Sequence, residues 1–118
     1  MGHPRAFHYA AALALTVGFA PAAHAAPLSG NQLLDQCGGP GEEMVLPCLY
    51  WTIGVSGGIK FAEAASKVQT VCFPDGATVG QYHDVILAYL KGNPTERHLP
   101  AEALAYAALR NAFKCLPK

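Results

Sequence analysis

The chain has 118 residues, 52% of them apolar and 14% charged, with eight Lys or Arg set against eight Asp or Glu. So even a balance provides no basic face from which counterions could be released, which argues against a nucleic-acid binder. The length suits one domain with a single core rather than two.

The first stretch reads as an export signal. Arg5 stands in a short polar head that ends at His8, Tyr9 to Ala20 is almost wholly apolar, and Ala23-His24-Ala25 fits the small-residue rule for cleavage. The apolar run falls short of the roughly 20 residues that a bilayer span needs. Residues 1–25 are therefore expected to be a signal peptide. Residues 26–118 are expected to form one periplasmic domain with no membrane span. Removing 25 of the 118 residues leaves 93 and takes away one charged side chain, Arg5, so the net charge falls from 0 to −1.

Cys37, Cys48, Cys72 and Cys115 all lie beyond that cut. An even number of cysteines in a small exported chain reads as two disulfides, and four cysteines allow three pairings. No Cys-x-x-Cys pair occurs, and His83 and His98 complete no ligand spacing with the cysteines, so neither a metal nor any other cofactor is expected.

In chain order, Ser29 with Gln32 forms a capping box, in which the hydroxyl meets the third helical amide and the amide side chain reaches back. A two-turn helix follows through Leu33-Leu34 to Cys37, and the glycine-rich run Gly38 to Gly41 ends it. A second helix is expected from about Glu42-Glu43, whose carboxylates suit the positive end of a helix, with Pro47 tolerated in the first turn. Leu46, Leu49, Tyr50 and Ile53 share one face, and Trp51, Val55 and Ile59 share the next. An apolar arc that wide predicts a central, buried helix. Gly54, Gly57 and Gly58 each cost about 1 kcal/mol there relative to Ala, which implies either close approach of another backbone or a kink or early helix end at Gly57-Gly58.

Gln69 to Val71 reads as extended. Thr78 with Gln81 then makes a second capping box ahead of Tyr82, Val85, Ile86, Tyr89 and Leu90, and Gly92 and Pro94 end that helix. Pro100 opens a fourth helix carrying Leu104, Ala105, Ala108, Leu109, Ala112 and Phe113. The last two helices are expected to pack antiparallel. The fold class is all-α, a small four-helix domain stapled by disulfides. This geometry favours Cys37–Cys48, closing the glycine-rich loop, and Cys72–Cys115, clamping the helical pair.

Chemistry is sparse. Ser56 lies within a helix rather than in a nucleophile elbow, His83 and Asp84 point to different helix faces, and the eight carboxylates are scattered. No catalytic residue and no enzyme activity are expected. His83 reads as a surface residue of the third helix. The link from Lys91 to His98 gathers polar groups of both signs at the tip of the hairpin, so Lys91, Asn93, Glu96, Arg97 and His98 are the candidate partner-binding residues. Arg97 is the most useful donor among them, because its planar fork engages carboxylates or carbonyls. The other reading is that Glu96 and Arg97 cap the helices of a solvated turn.

Several of these motifs together resemble one family. Gly30-Asn31-x-Leu33-Leu34-x-x-Cys37, Gly54-Val55, Cys72-x-Pro74-x-Gly76-x-Thr78-x-x-Gln81 and Arg97-His98-Leu99-Pro100-Ala101 are similar to the Rap/Tai immunity proteins of type VI secretion amidase effectors. The chain departs from that pattern at Pro47, Tyr50 and Lys114. The resemblance implies a helical fold like that of HdeA-type acid-stress chaperones, often dimeric, so a homodimer is expected. It also implies a partner, a peptidoglycan amidase effector, inhibited by a helix-to-helix loop inserted into its active-site cleft. That loop falls on Lys91 to His98. A periplasmic stress or chaperone-type binding protein is the alternative.

Overall fold

The computed structural model describes residues 25–117 together with Gly2. Apart from Gly2 and Ala25, the expected signal peptide lies outside the described part. Four helices follow in order: α1 (Gly30–Cys37), α2 (Val45–Ser66), α3 (Val79–Gly92) and α4 (Ala101–Ala112). Single 3-10 turns at Glu42–Met44 and Pro94–Glu96 precede α2 and α4. No strand is present among the described residues, so the domain is all-α.

Both capping boxes form. Ser29 accepts from the Gln32 amide at 3.2 Å while Gln32 Oε1 accepts from the Ser29 amide at 2.9 Å. Thr78 and Gln81 repeat the exchange at 3.2 and 2.8 Å. Each box satisfies amides that a helix start leaves without intrahelical partners.

The core lies where α3 and α4 meet α1. Leu33, Val71, Tyr82, Ile86, Leu90, Leu104 and Leu109 are buried there, together with Ala101, Ala105 and Ala108. Those three alanines recur at helical spacing, which keeps the α4 side facing the core thin. The two disulfides are Cys37–Cys48 and Cys72–Cys115. Beside the second, Phe73, Tyr82 and Phe113 form an aromatic cluster with centroids 4.9 to 6.0 Å apart, and Lys60 Nζ lies 4.7 Å from the Phe73 ring centre. The Cys72 amide donates to Phe113 O at 2.9 Å, so backbone as well as sulfur closes this end.

The segment between α2 and α3 is held by one carboxylate. Glu63 Oε1 accepts from the Thr70 amide, the Thr70 hydroxyl and the Val71 amide at 2.7, 2.7 and 2.8 Å. Desolvation pushes the Glu63 pKa up, but these three donors outweigh it and hold the carboxyl below its ordinary value. The Thr70 hydroxyl in turn accepts from Tyr106 of α4 at 2.8 Å.

The second helix departs from expectation. It is not central: its buried residues are Cys48, Thr52 and Ser56, a single row at i, i+4 and i+8. Trp51, Val55 and Ile59 pack partly on the core, whereas Leu46, Tyr50, Ile53 and Phe61 stand in the open at 58, 64, 47 and 77% exposure. The helix runs unbroken past its glycines, and a Cβ built at Gly54, Gly57 or Gly58 meets nothing within 4 Å. Among the described residues no kink and no close backbone explains them. By length and composition Glu42–Ser66 is apolar enough to cross a membrane. In this fold it is bridged to α1 through Cys48 and seats its Cys48–Thr52–Ser56 row on the domain.

Candidate functional site

The antiparallel α3–α4 pair has two unlike ends. One carries the Cys72–Cys115 bridge, and the other carries the link from Lys91 to Pro100. Helix α3 ends there with carbonyls that have no intrahelical donor. The link supplies the donors itself. Asn93 Nδ2 donates to Tyr89 O at 2.8 Å, Arg97 Nε to Leu90 O at 2.6 Å and Arg97 Nη2 to Lys91 O at 3.1 Å. A cation placed there also faces the negative end of the α3 dipole.

Glu96 accepts from the Tyr89 hydroxyl at 2.8 Å. That bond, with some burial and the Glu96 charge, raises the Tyr89 pKa above its ordinary value. Two backbone bonds close the turn, Glu96 N to Asn93 O at 3.2 Å and Leu99 N to Glu96 O at 2.9 Å. His98 Nδ1 lies 3.1 Å from Thr95 O, and since a carbonyl only accepts, that nitrogen carries the hydrogen.

The five candidate residues therefore divide. Asn93, Glu96 and Arg97 are half-buried and brace the loop, with Arg97 capping α3. Lys91 and His98 are exposed, as are Pro94, Thr95 and Leu99 between and beside them. The loop has a stiff inner layer and an accessible outer one. The sequence reading passed over Thr95 and Leu99, whose exposure depends on how the inner layer turns the chain.

One polar pair was also missed. Thr52, fully buried on α2, donates to Cys48 O at 2.9 Å and lies 3.2 Å from His83 Nδ1 on α3. With its own hydrogen given to Cys48 O, the Thr52 oxygen accepts from His83. His83 is thus a half-buried cross-helix partner rather than a free surface residue. Burial pushes its pKa down, and neighbouring Asp84 opposes this in part. A polar residue at i+4 from a cysteine on an apolar helix was the signal available for it.

Two open grooves flank α2. One, of about 670 Å³, runs beside Lys60, Glu63, Lys67 and Asp75. The other, of about 530 Å³, is lined by Val55, Ile59, Ala62, Val68 and Tyr106. Among the described residues no three His, Cys, Asp or Glu side chains gather as metal ligands.

These features define a small, disulfide-stapled helical protein that holds a braced polar loop at one end. The profile of the Rap1a immunity proteins matches residues 29–115, spanning all four helices and both bridges. The chain belongs to that family. No curated protein and no solved structure matches it.

Proposed function

We propose that this protein is a periplasmic immunity protein that neutralises a peptidoglycan amidase delivered by type VI secretion, by seating the 91–99 loop in the amidase cleft. Family membership supports the immunity role. The observation that carries the binding mode is the inner layer of the loop, in which Asn93, Glu96 and Arg97 hold its shape before any partner arrives. A segment ordered beforehand loses little conformational entropy on docking, so more of its contact energy appears as affinity. Lys91, Thr95, His98 and Leu99 then offer a cation, hydrogen-bonding groups and a small apolar contact on one surface. In this reading the protein is a binder and not an enzyme, exported by residues 1–25 and kept oxidised in the periplasm.

The homodimer expected from the resemblance has a surface to use. The α2 face of Leu46, Tyr50, Ile53, Gly54, Gly57 and Phe61 carries no charge and runs about 24 Å from its first residue to its last. An antiparallel pairing about Gly54 and Gly57 sets Tyr50 against Phe61 of the partner subunit and lets the two backbones approach over the glycines.

The test is to mix the purified protein with a type VI peptidoglycan amidase effector from the same genome and measure inhibition and complex mass. Wild type is expected to form a stoichiometric complex and abolish turnover. The triple variant Lys91→Glu, Thr95→Asp, His98→Asp should keep its helicity and lose inhibition. Full inhibition by that variant overturns the loop reading. The exposed α2 face also suits a stress chaperone. Suppression of client aggregation in acid by both proteins, without amidase binding by either, would favour that second reading.

A further inference from the structure

Three unsatisfied chain segments meet at the base of the loop. Helix α4 has no side-chain cap, so the amide of Ala101 needs an acceptor from elsewhere. The carbonyls of Arg97 and Leu99 precede that helix and have no place in its ladder. At the start of α1 the amides of Gly30 and Asn31 also lack intrahelical partners. The structure pairs these groups with one another. Gly30 N donates to Leu99 O at 3.0 Å, Asn31 N to Arg97 O at 2.9 Å and Ala101 N to Leu28 O at 2.7 Å. Ser29 and Pro100 form an isolated antiparallel bridge at the centre of the crossing.

The crossing leaves no room for a side chain at its tightest point. Gly30 is buried, and a Cβ there would lie 2.5 Å from Leu104 Cδ1, 3.1 Å from Leu90 Cδ2 and 3.1 Å from Arg97 O. The first two atoms are side-chain ends, but the third is backbone of the loop itself. The other end of this short helix is fixed by the Cys37–Cys48 bridge to α2, with Leu33 seated in the core between.

The geometry points to residues 28–31 as a clasp that sets the shape of the partner-binding loop. Gly30 is its positioning residue, and the Cys37–Cys48 bridge is its anchor. This rests on the loop reading above and deepens it, since recognition then depends on a segment at the far end of the domain sequence. The inner-layer side chains fix the loop to α3, whereas the clasp fixes it to the start of α1, so the loop is held from both sides.

The test compares Gly30→Val with Gly39→Ala, a control at a position where a Cβ meets nothing within 4 Å. Amide exchange in the free protein is read first. Gly30→Val is expected to speed exchange at Asn31 and Ala101 about tenfold or more, while the Ile86 and Leu109 amides of the core stay protected. Binding to the amidase is read second, with an expected loss of about tenfold in affinity, chiefly through faster dissociation. Gly39→Ala should change neither. Unchanged exchange at Asn31 and Ala101 overturns the clasp, and so does wild-type affinity in a variant whose clasp amides have been released. If wild type itself fails to bind the amidase, the loop reading falls while the exchange result still decides the clasp. Should Gly30→Val not fold, Gly30→Ala carries the same test, because its single methyl still approaches Arg97 O.

Discussion

Helices α2 and α4 are both rich in apolar residues, yet they use them in opposite ways. Helix α4 buries Ala101, Leu104, Ala105, Ala108 and Leu109 along one stripe. It leaves Glu102, Arg110 and Asn111 to solvent, the arrangement expected of an amphipathic helix on a core. Helix α2 buries one narrow row and exposes Leu46, Tyr50, Ile53 and Phe61. What separates them is neighbours. Helix α4 is enclosed by α1, α2, α3 and the 70–73 segment, whereas among the described residues α2 meets the domain along one side and leaves the other open. An apolar residue stabilises a fold only when something covers it, so the same composition gives a core in one place and an exposed apolar face in the other.

The largest effect that tests this contrast is removal of the Cys72–Cys115 bridge, which closes a 43-residue separation around α3 and α4. Loop-closure entropy of the unfolded chain gives about 4 kcal/mol for it, against about 3 kcal/mol for Cys37–Cys48 with its separation of 11. Paired Cys→Ser variants in urea denaturation should therefore rank in that order.

Next comes Leu109→Ala, at a fully buried position, expected to cost about 3 kcal/mol. Its counterpart Ile53→Ala on α2 should cost under about 0.5 kcal/mol in dilute protein. Comparable losses at low concentration would mean that α2 is covered in the monomer, and the contrast would fail.

In the loop, Arg97→Ala removes two bonds to the last carbonyls of α3 and should cost about 1–2 kcal/mol in thermal or chemical melts. The exposed Lys91→Ala should be nearly silent in stability. A smaller effect of opposite sign is expected at Gly57→Ala, which fills open space in a helix interior and should stabilise dilute protein by up to about 1 kcal/mol. The same variant should weaken self-association if two copies pack there, as sedimentation at rising concentration would show.

The smallest effect is the response to acid. Burial lowers the His83 pKa below its ordinary value of 6.5, so below that value the unfolded chain binds a proton that the native chain resists. Stability at this site is therefore complete above pH 6.5 and declines as pH falls toward the lower native value. His83→Gln should flatten that part of the stability profile. Glu63 works in the same direction at lower pH, because its lowered pKa supports the fold above the ordinary carboxylate value of 4.5 and that support fades as the carboxylate is protonated.

Arg97 marks the limit of what the loop motif alone conveyed. Its sequence neighbours, Glu96 and His98, left two readings open, a polar tip offered to a partner and a turn in which Arg97 caps a helix. Its guanidinium takes the second, turning inward to carbonyls six and seven residues earlier. Charge and position in the chain do not reveal which acceptors lie nearby once the chain has reversed direction. His83 was hidden for the same reason, since Thr52 stands 31 residues away on another helix.

The sequence by itself determined the helices, through two capping boxes, the breakers at Gly38–Gly41 and Pro94, and the stripe on α4. Those signals act within a few residues and depend only on local hydrogen bonding and side-chain spacing. It also favoured the observed cysteine pairing, because an antiparallel hairpin brings its two ends together. Only the tertiary structure decided which side of α2 remains open, which of the loop's polar groups turn inward, and that Gly30 meets the base of that loop. Each of these depends on what a distant segment places within a few ångströms, and burial is a property of that arrangement rather than of any one stretch of chain.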